Sequence, residues 1–206
     1  MATQLSIINL AFSHLTEPTV LTLDGDPRPP NVVKALSQWD QALDVALSRA
    51  PWLVATERRT VDADAAPVGG WGDWKYSDRF SLPKGAIKVW SVAGGDDFAW
   101  ERGVVVDVNG AVIPVIRAMY VGPLQVELCL RRPAEALTPL LADALAWELA
   151  ARLAGPIQSS EEKGRWAAGK AEDAYLLAAM SEASEIGGQA PLIPMGGMQA
   201  ARRFAG

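Results

Sequence analysis

Cysteine and histidine are almost absent from this 206-residue chain, which holds only Cys129 and His14. A lone cysteine leaves no intrachain disulfide and no cysteine-built zinc site, and it fits a reducing compartment. A lone histidine obliges any Ser-His-Asp or Cys-His mechanism to pass through His14. That residue stands beside Leu15 in an apolar periodic stretch, far along the sequence from Cys129, and reads as a partly packed histidine on a helix surface. No window approaches the roughly 18 to 20 apolar residues that cross a bilayer, and no basic region precedes the apolar run of MATQLSIINLAF. Neither secretion nor membrane insertion is expected. Clustered Lys and Arg are lacking too: the formal charge is −5, with both signs spread along the chain. Nucleic acid is therefore disfavoured as the main source of affinity. No internal repeat is visible.

Two acidic or glycine-rich motifs are weaker than they look. Asp24 and Asp26 of LDGDP are spaced like calcium ligands, but no Glu follows at the closing position and prolines intervene, so a solvated turn is expected. GGWGDW has the glycines of a phosphate cradle without the Lys-Ser or Lys-Thr that completes one. No catalytic residue, metal or cofactor is expected, and the chain is read as a non-enzyme.

What is present is apolar material, half of all residues, enough to build a core. Leu5, Ile8, Ala11, Phe12 and Leu15 recur at three- and four-residue steps, predicting a first helix that ends before Glu17-Pro18. TLDGDPRPP, residues 22 to 30, is turn chemistry. A second helix then restarts, either capped by Asn31 or with Pro30 in its first turn, carrying Val33, Leu36, Leu43, Ala46, Leu47 and Ala50 on one stripe with Trp39 at its margin. Pro51 stops it. Residues 52 to 130 are rich in β-forming side chains punctuated by Gly and Pro, predicting a small antiparallel sheet or barrel with a hairpin at Asn109-Gly110. Alternation of Leu124, Val126, Leu128 and Leu130 predicts a half-buried strand with Cys129 on its other face. Thr138-Pro139 opens a leucine-rich helix through Leu140, Leu141, Leu145, Leu149 and Leu153 up to a Gly155-Pro156 stop. Ser159 with Glu162 forms a capping box for a fourth helix through Trp166, Ala167, Ala174, Leu177 and Met180, weakened at Gly164 and Gly169.

The predicted fold class is α+β, mainly α: an antiparallel helix bundle with a β-rich insert and an extended C-terminal tail. Residues 1–51 and 133–188 supply the helical parts, 52–132 the insert and 189–206 the tail. The flanking helical pairs are expected to share one core.

The ordered set resembles the head-tail adaptor (connector, head completion or tail tubular A type) proteins of tailed phages and gene transfer agents. The matching motifs are the first-helix exit Leu15-Thr16-Glu17-Pro18 and the second-helix exit Ala50-Pro51-Trp52. They continue with the aromatic strand, Leu-Pro step and second strand of WKYSDRFSLPKGAIKVWSV, and with ALTPLLADALAWELAARLAGPI followed by a charged helix. The resemblance covers most of residues 1 to 188. It implies a structural protein of a virion or phage-like particle neck, assembled in the bacterial cytoplasm as a homo-oligomeric ring of typically twelve subunits. Its partners would be the portal protein and a tail terminator or stopper, and DNA would pass through the channel without specific binding.

Ring contacts are heterologous, so apolar patches on two sides of the subunit are required. Of the eight tryptophans, Trp71 and Trp74 are assigned to a subunit contact. Twelve copies would carry about −60 in formal charge, which favours DNA passage over binding, and Asp96, Asp97, Asp107 and Glu127 are assigned to the channel wall. Leu192, Ile193, Met195, Met198, Arg202, Arg203 and Phe204 are assigned to portal or neighbour contact by the tail. The competing reading is a tail-associated carbohydrate-binding module in which Trp71, Trp74, Trp90 and Trp100 of the insert form a stacking platform.

Overall fold

Local capping chemistry sets the helix ends. In the computed structural model, which describes residues 2–65, 75–94, 98–106 and 109–185, helix α1 spans Gln4–His14. Thr3 opens it with a reciprocal pair of hydrogen bonds to Ser6, at 2.8 and 3.1 Å. It closes where Thr16 takes a φ of 60° and the Glu17 amide donates back to the Phe12 carbonyl at 2.8 Å. Helix α2, Pro30–Ser48, starts on Pro30 with no side-chain cap, while Asn31 donates instead to the Glu17 carboxylate at 3.2 Å. Its buried stripe is Val32, Ala35, Trp39, Ala42, Leu43, Ala46 and Leu47. The stripe is rotated from the expected one, with Val33 exposed and Trp39 inside.

Helix α3, Pro139–Gln158, is capped by Thr138, whose hydroxyl accepts from the Leu141 amide at 3.4 Å. It does not stop at Gly155-Pro156. Pro156 lies inside its last turn, where one missing donor costs little, and the chain leaves only at Ser159, which adopts a φ of 52°. Ser159 is thereby consumed as the end of α3. The cap of helix α4, Glu161–Glu185, passes to Ser160, whose hydroxyl accepts from the Lys163 amide at 3.2 Å.

Among the described residues six strands follow one another between α2 and α3: β1 Thr56–Val61, β2 Asp78–Ser81, β3 Ala86–Val92, β4 Trp100–Val106, β5 Val112–Ala118 and β6 Leu124–Leu130. They form two three-stranded antiparallel sheets, ordered β1-β6-β3 and β2-β5-β4. Phe80, Ile116, Ala118, Leu124, Val126, Leu128 and Leu130 from both sheets meet in one core, with Trp100, Phe98 and Tyr120 packed at its edge. The sheets are stitched together at both seams. Arg102 of β4 donates to the Ala86 carbonyl of β3 at 3.2 Å. Beyond β1, Asp64 donates its amide to the Arg79 carbonyl of β2 at 2.7 Å, and its carboxylate accepts from Arg79 Nε (2.7 Å), the Ser81 hydroxyl (2.8 Å) and the Ser81 amide (3.2 Å).

The expected fold class is overturned. Among the described residues helices take 46% and strands 22%, with four helices and two three-stranded antiparallel sheets, so this is not a mainly helical antiparallel bundle. Two compact units separate by their internal contacts: Met1–Ala50 with Ala134–Gly206, and Pro51–Pro133. The strands close over a core of their own and so form a unit rather than an appendage to helices. The helical unit is also not a simple bundle, because α3 is a hub that packs against α1, α2 and α4. Its leucines at 141, 145, 149 and 153 and its alanines at 142, 144, 146, 150 and 154 bury most of its circumference. At its far end Gln158 donates to the Leu15 carbonyl and, at 2.9 Å, to Glu17, and Lys34 donates to the Pro156 carbonyl at 2.7 Å. The Leu-Thr-Glu-Pro turn after α1 is thus tied to α2 and α3 through Glu17.

Candidate functional site

Helix α4 turns the usual apolar pattern inside out. Its buried face is Ala167, Ala171, Ala174, Tyr175, Ala178, Ala179 and Ala183, whereas Trp166, Leu176, Leu177 and Met180 stand 48–61% exposed. The cause lies at the close approach of α3. A Cβ on Gly164 would sit 3.3 Å from the Ala151 carbonyl oxygen and 3.6 Å from the Ala154 Cβ, so the shared surface admits small side chains and turns large ones outward. Trp166, Leu177 and Met180 therefore lie on the open side of a helix, spaced at 11 and 3 residues along one stripe. Between Trp166 and Leu177 the same side carries the exposed ion pair of Lys170 and Asp173, 3.9 Å apart, so the apolar residues form two patches, Trp166 alone and Leu177 with Met180.

Trp166 is anchored to the interior by a ladder of rings. His14 of α1 stacks on Trp147 of α3, with centroids 3.5 Å apart and planes 6° apart, and Trp147 meets Trp166 edge-on at 5.1 Å. Burial lowers the His14 pKa below its ordinary value, and Asp143, 3.8 Å from Nε2, opposes that only in part. At neutral pH the imidazole is uncharged and serves as a packed ring. Beside the ladder, Arg49 lies 4.8 Å over the Tyr175 ring and is paired with Glu172 and, at 3.5 Å, with Glu148, which also accepts from Arg152 at 2.9 Å. Burial would lower the Arg49 pKa, but the hydrogen bond and charge of Glu172 outweigh it and hold the guanidinium above its ordinary value. Burial likewise pushes the Tyr175 phenol up, helped by Glu148. These groups hold α2, α3 and α4 together.

The β unit presents a second apolar surface. Register pairs Val106 with Val112 and Val104 with Pro114, on the hairpin face that carries Ile116 and Ala118 further along. Ile116 and Ala118 are fully buried, whereas Val104, Val106 and Val112 are 59–65% exposed. The hairpin overruns its core by two residue pairs and carries the apolar face out with it.

Glu127 is the one assigned wall residue among the described residues. It lies on β6 in a shallow groove of about 380 Å³ with Arg58, Arg59, Thr60, Ser91 and Gln125. Its carboxylate accepts from Arg58 at 3.3 Å and from Ser91 at 3.2 Å, so it is an ion-paired group rather than a bare acid. Nearby, hydrogen bonding from Arg59 holds the Glu57 carboxyl below its ordinary value, and Arg132 adds to this at 3.1 Å.

Asp96, Asp97 and Asp107, the subunit-contact Trp71 and Trp74, and the tail residues 192 to 204 lie outside the described residues. Of the four tryptophans of the alternative platform, Trp100 packs on the β core and Trp90 carries Lys88 Nζ 4.0 Å over its ring. Cys129 is buried in the β unit while His14 belongs to the helical unit. Asp24 lies in an exposed turn with Arg28 3.9 Å away. Among the described residues no group of three metal-ligating side chains occurs, and no helix is long and apolar enough to cross a membrane. Helical period alone does not separate this side of α4 from the buried one, since Trp166, Leu177 and Met180 recur at helical spacing together with Ala167 and Ala174; the distinguishing signal is the denser alanine ladder of the buried side.

Fold and surface together define a two-unit α+β protein with an exposed apolar face on each unit. No protein-family model and no curated protein matches the chain.

Proposed function

We propose that this protein is a structural head-tail adaptor, a ring of about twelve copies joining a portal to the tail of a phage-like particle. The observation that supports it most is the pair of exposed apolar faces, α4 with Trp166, Leu177 and Met180 and the β4–β5 arm with Val104, Val106 and Val112. A ring needs such a pair, because each copy must offer one face to the preceding copy and a different face to the next. The ordered helix-turn-helix, strand and helix motifs of residues 1 to 188 supply the family reading. On this reading the portal and a tail terminator or stopper are the partners, and DNA passes without specific binding. Glu127 enters the channel wall as an ion pair with Arg58, so the acidity of the wall rests on Asp96, Asp97 and Asp107.

The test is electron microscopy of phage-like particles carrying an affinity label on this chain. The label is expected at the collar between capsid vertex and tail. Label elsewhere on the particle, or absent from it, refutes the proposal. Val106→Asp is expected to abolish ring formation on purified portal while leaving the helical signal at 222 nm unchanged.

A further inference from the structure

The groove between α1 and the start of α3 carries charge of one sign without counter-charge. It encloses about 610 Å³ and is lined by Ile7 and Leu10 of α1 and by Leu137 and Ala142, with Glu135 and Asp143 among them. Neither carboxylate has a Lys or Arg partner among the described residues, and His14, 3.8 Å from Asp143, is uncharged at neutral pH. The deficit is written into the chain, since no Lys or Arg occurs in residues 2–27 or 133–151. Nor does the helix itself use the charge of Asp143, which lies four residues past Pro139, beyond the first turn where a helix N-terminus favours an acid. An apolar floor with acidic walls fits a large apolar side chain set between cations.

The chain carries such a group on its own surface. Lys163, Trp166 and Lys170 of α4 are all exposed and share one side of the helix, the two cations about 10 Å apart along the axis at 1.5 Å per residue and the indole between them. We propose that this side of α4 seats in the α1–α3 groove of a second copy, with Trp166 against Leu10 and with Lys163 and Lys170 against Glu135 and Asp143. The inference rests on the adaptor reading, whose α4 contact it completes by naming the surface that receives Trp166. Charge selects which apolar patch of α4 enters. Leu177 with Met180 is flanked along the helix by Asp173 and Glu185, both exposed, and would bring carboxylates against carboxylates. That patch is left for the β4–β5 arm. The Lys170–Asp173 pair does not stand in the way, because an exposed pair at 3.9 Å is weak enough for Lys170 to be shared. A nucleic acid or an anionic membrane would be repelled by the same groove.

The test measures self-association of the full chain by sedimentation at high micromolar concentration, with no portal present. Lys163→Glu with Lys170→Glu and, separately, Glu135→Lys with Asp143→Lys are each expected to weaken association at least about tenfold, with dichroism at 222 nm as in wild type. An equimolar mixture of these two chains should recover it, because each then meets the other's reversed charges at every such contact. Asp24→Lys with Asp26→Lys, the same change of net charge in an exposed turn, should associate as wild type does. Trp166→Ala should weaken association about tenfold. A wild type that stays monomeric, a mixture no tighter than its parts, weakening by the Asp24 and Asp26 changes, or a Trp166→Ala chain as tight as wild type each overturns the proposal. Particle size keeps the two readings apart. Recovery in particles of two copies supports the contact and counts against a ring, whereas loss of the contact leaves the place of the label on a phage-like particle to be read by itself.

Discussion

Two glycines in one helix should respond oppositely to the same added carbon. Gly164 and Gly169 both sit in α4, where glycine costs about 1 kcal/mol relative to alanine, and the sequence treats them alike. A Cβ on Gly169 would meet nothing within 4 Å, so Gly169→Ala should collect the whole propensity gain, about 0.8–1 kcal/mol. For a chain of this length that raises the unfolding midpoint by about 2–4 °C. At Gly164 the same gain is set against a carbonyl oxygen 3.3 Å from the new carbon, belonging to Ala151 on the facing helix. Gly164→Ala should therefore fall short of Gly169→Ala, ending within about 0.5 kcal/mol of wild type. Gly164→Leu, which must push α3 and α4 apart, should lose about 1–3 kcal/mol. Circular dichroism at 222 nm during urea unfolding follows the helices and gives the three differences directly. If Gly164→Leu were as stable as Gly169→Ala, α3 and α4 would not be in close contact at this point, and the explanation for the outward tryptophan and leucines would fail with it.

Asp64→Ala removes three acceptor interactions that join the end of β1 to β2 and should cost the β unit about 1–3 kcal/mol, read from near-ultraviolet dichroism on heating. Arg49→Met strips one partner from the nearly buried Glu148 and should destabilise the helical unit by about 1–3 kcal/mol, whereas Glu172→Gln, at an exposed partner, should cost no more than about 1 kcal/mol by urea titration. Stability should also fall in acid through His14. Its folded pKa lies below the ordinary 6.5, so between those two values the unfolded chain binds the proton first. Its contribution is complete above pH 6.5 and is lost as pH falls through the folded value. His14→Phe keeps the stack on Trp147 and should flatten that part of the urea-midpoint profile, and an unchanged slope would refute the assignment.

Chemistry that acts within a few residues was legible in the sequence. Thr138-Pro139 opens α3, Glu17-Pro18 follows α1, Pro51 follows α2, and Asn109-Gly110 lies between β4 and β5, because caps and turns are decided by neighbouring backbone donors and acceptors. Even there, near-equivalent local choices were settled from outside. Ser159 was expected to cap α4, but α3 extends past Pro156 to end on it, and the cap falls to Ser160.

Residue composition by itself determined that the chain could bury a core and that no disulfide lies within it, and residue order placed the starts of α2 and α3. Only the tertiary structure decided which side of each helix is inside. On α4 the answer runs against hydrophobicity, since alanines are buried and Trp166, Leu177 and Met180 are open. The physical reason is that burial depends on the space a neighbour leaves as well as on a side chain's affinity for water. At Gly164 that neighbour, Ala151, comes from another helix, and no periodicity within α4 could register its distance.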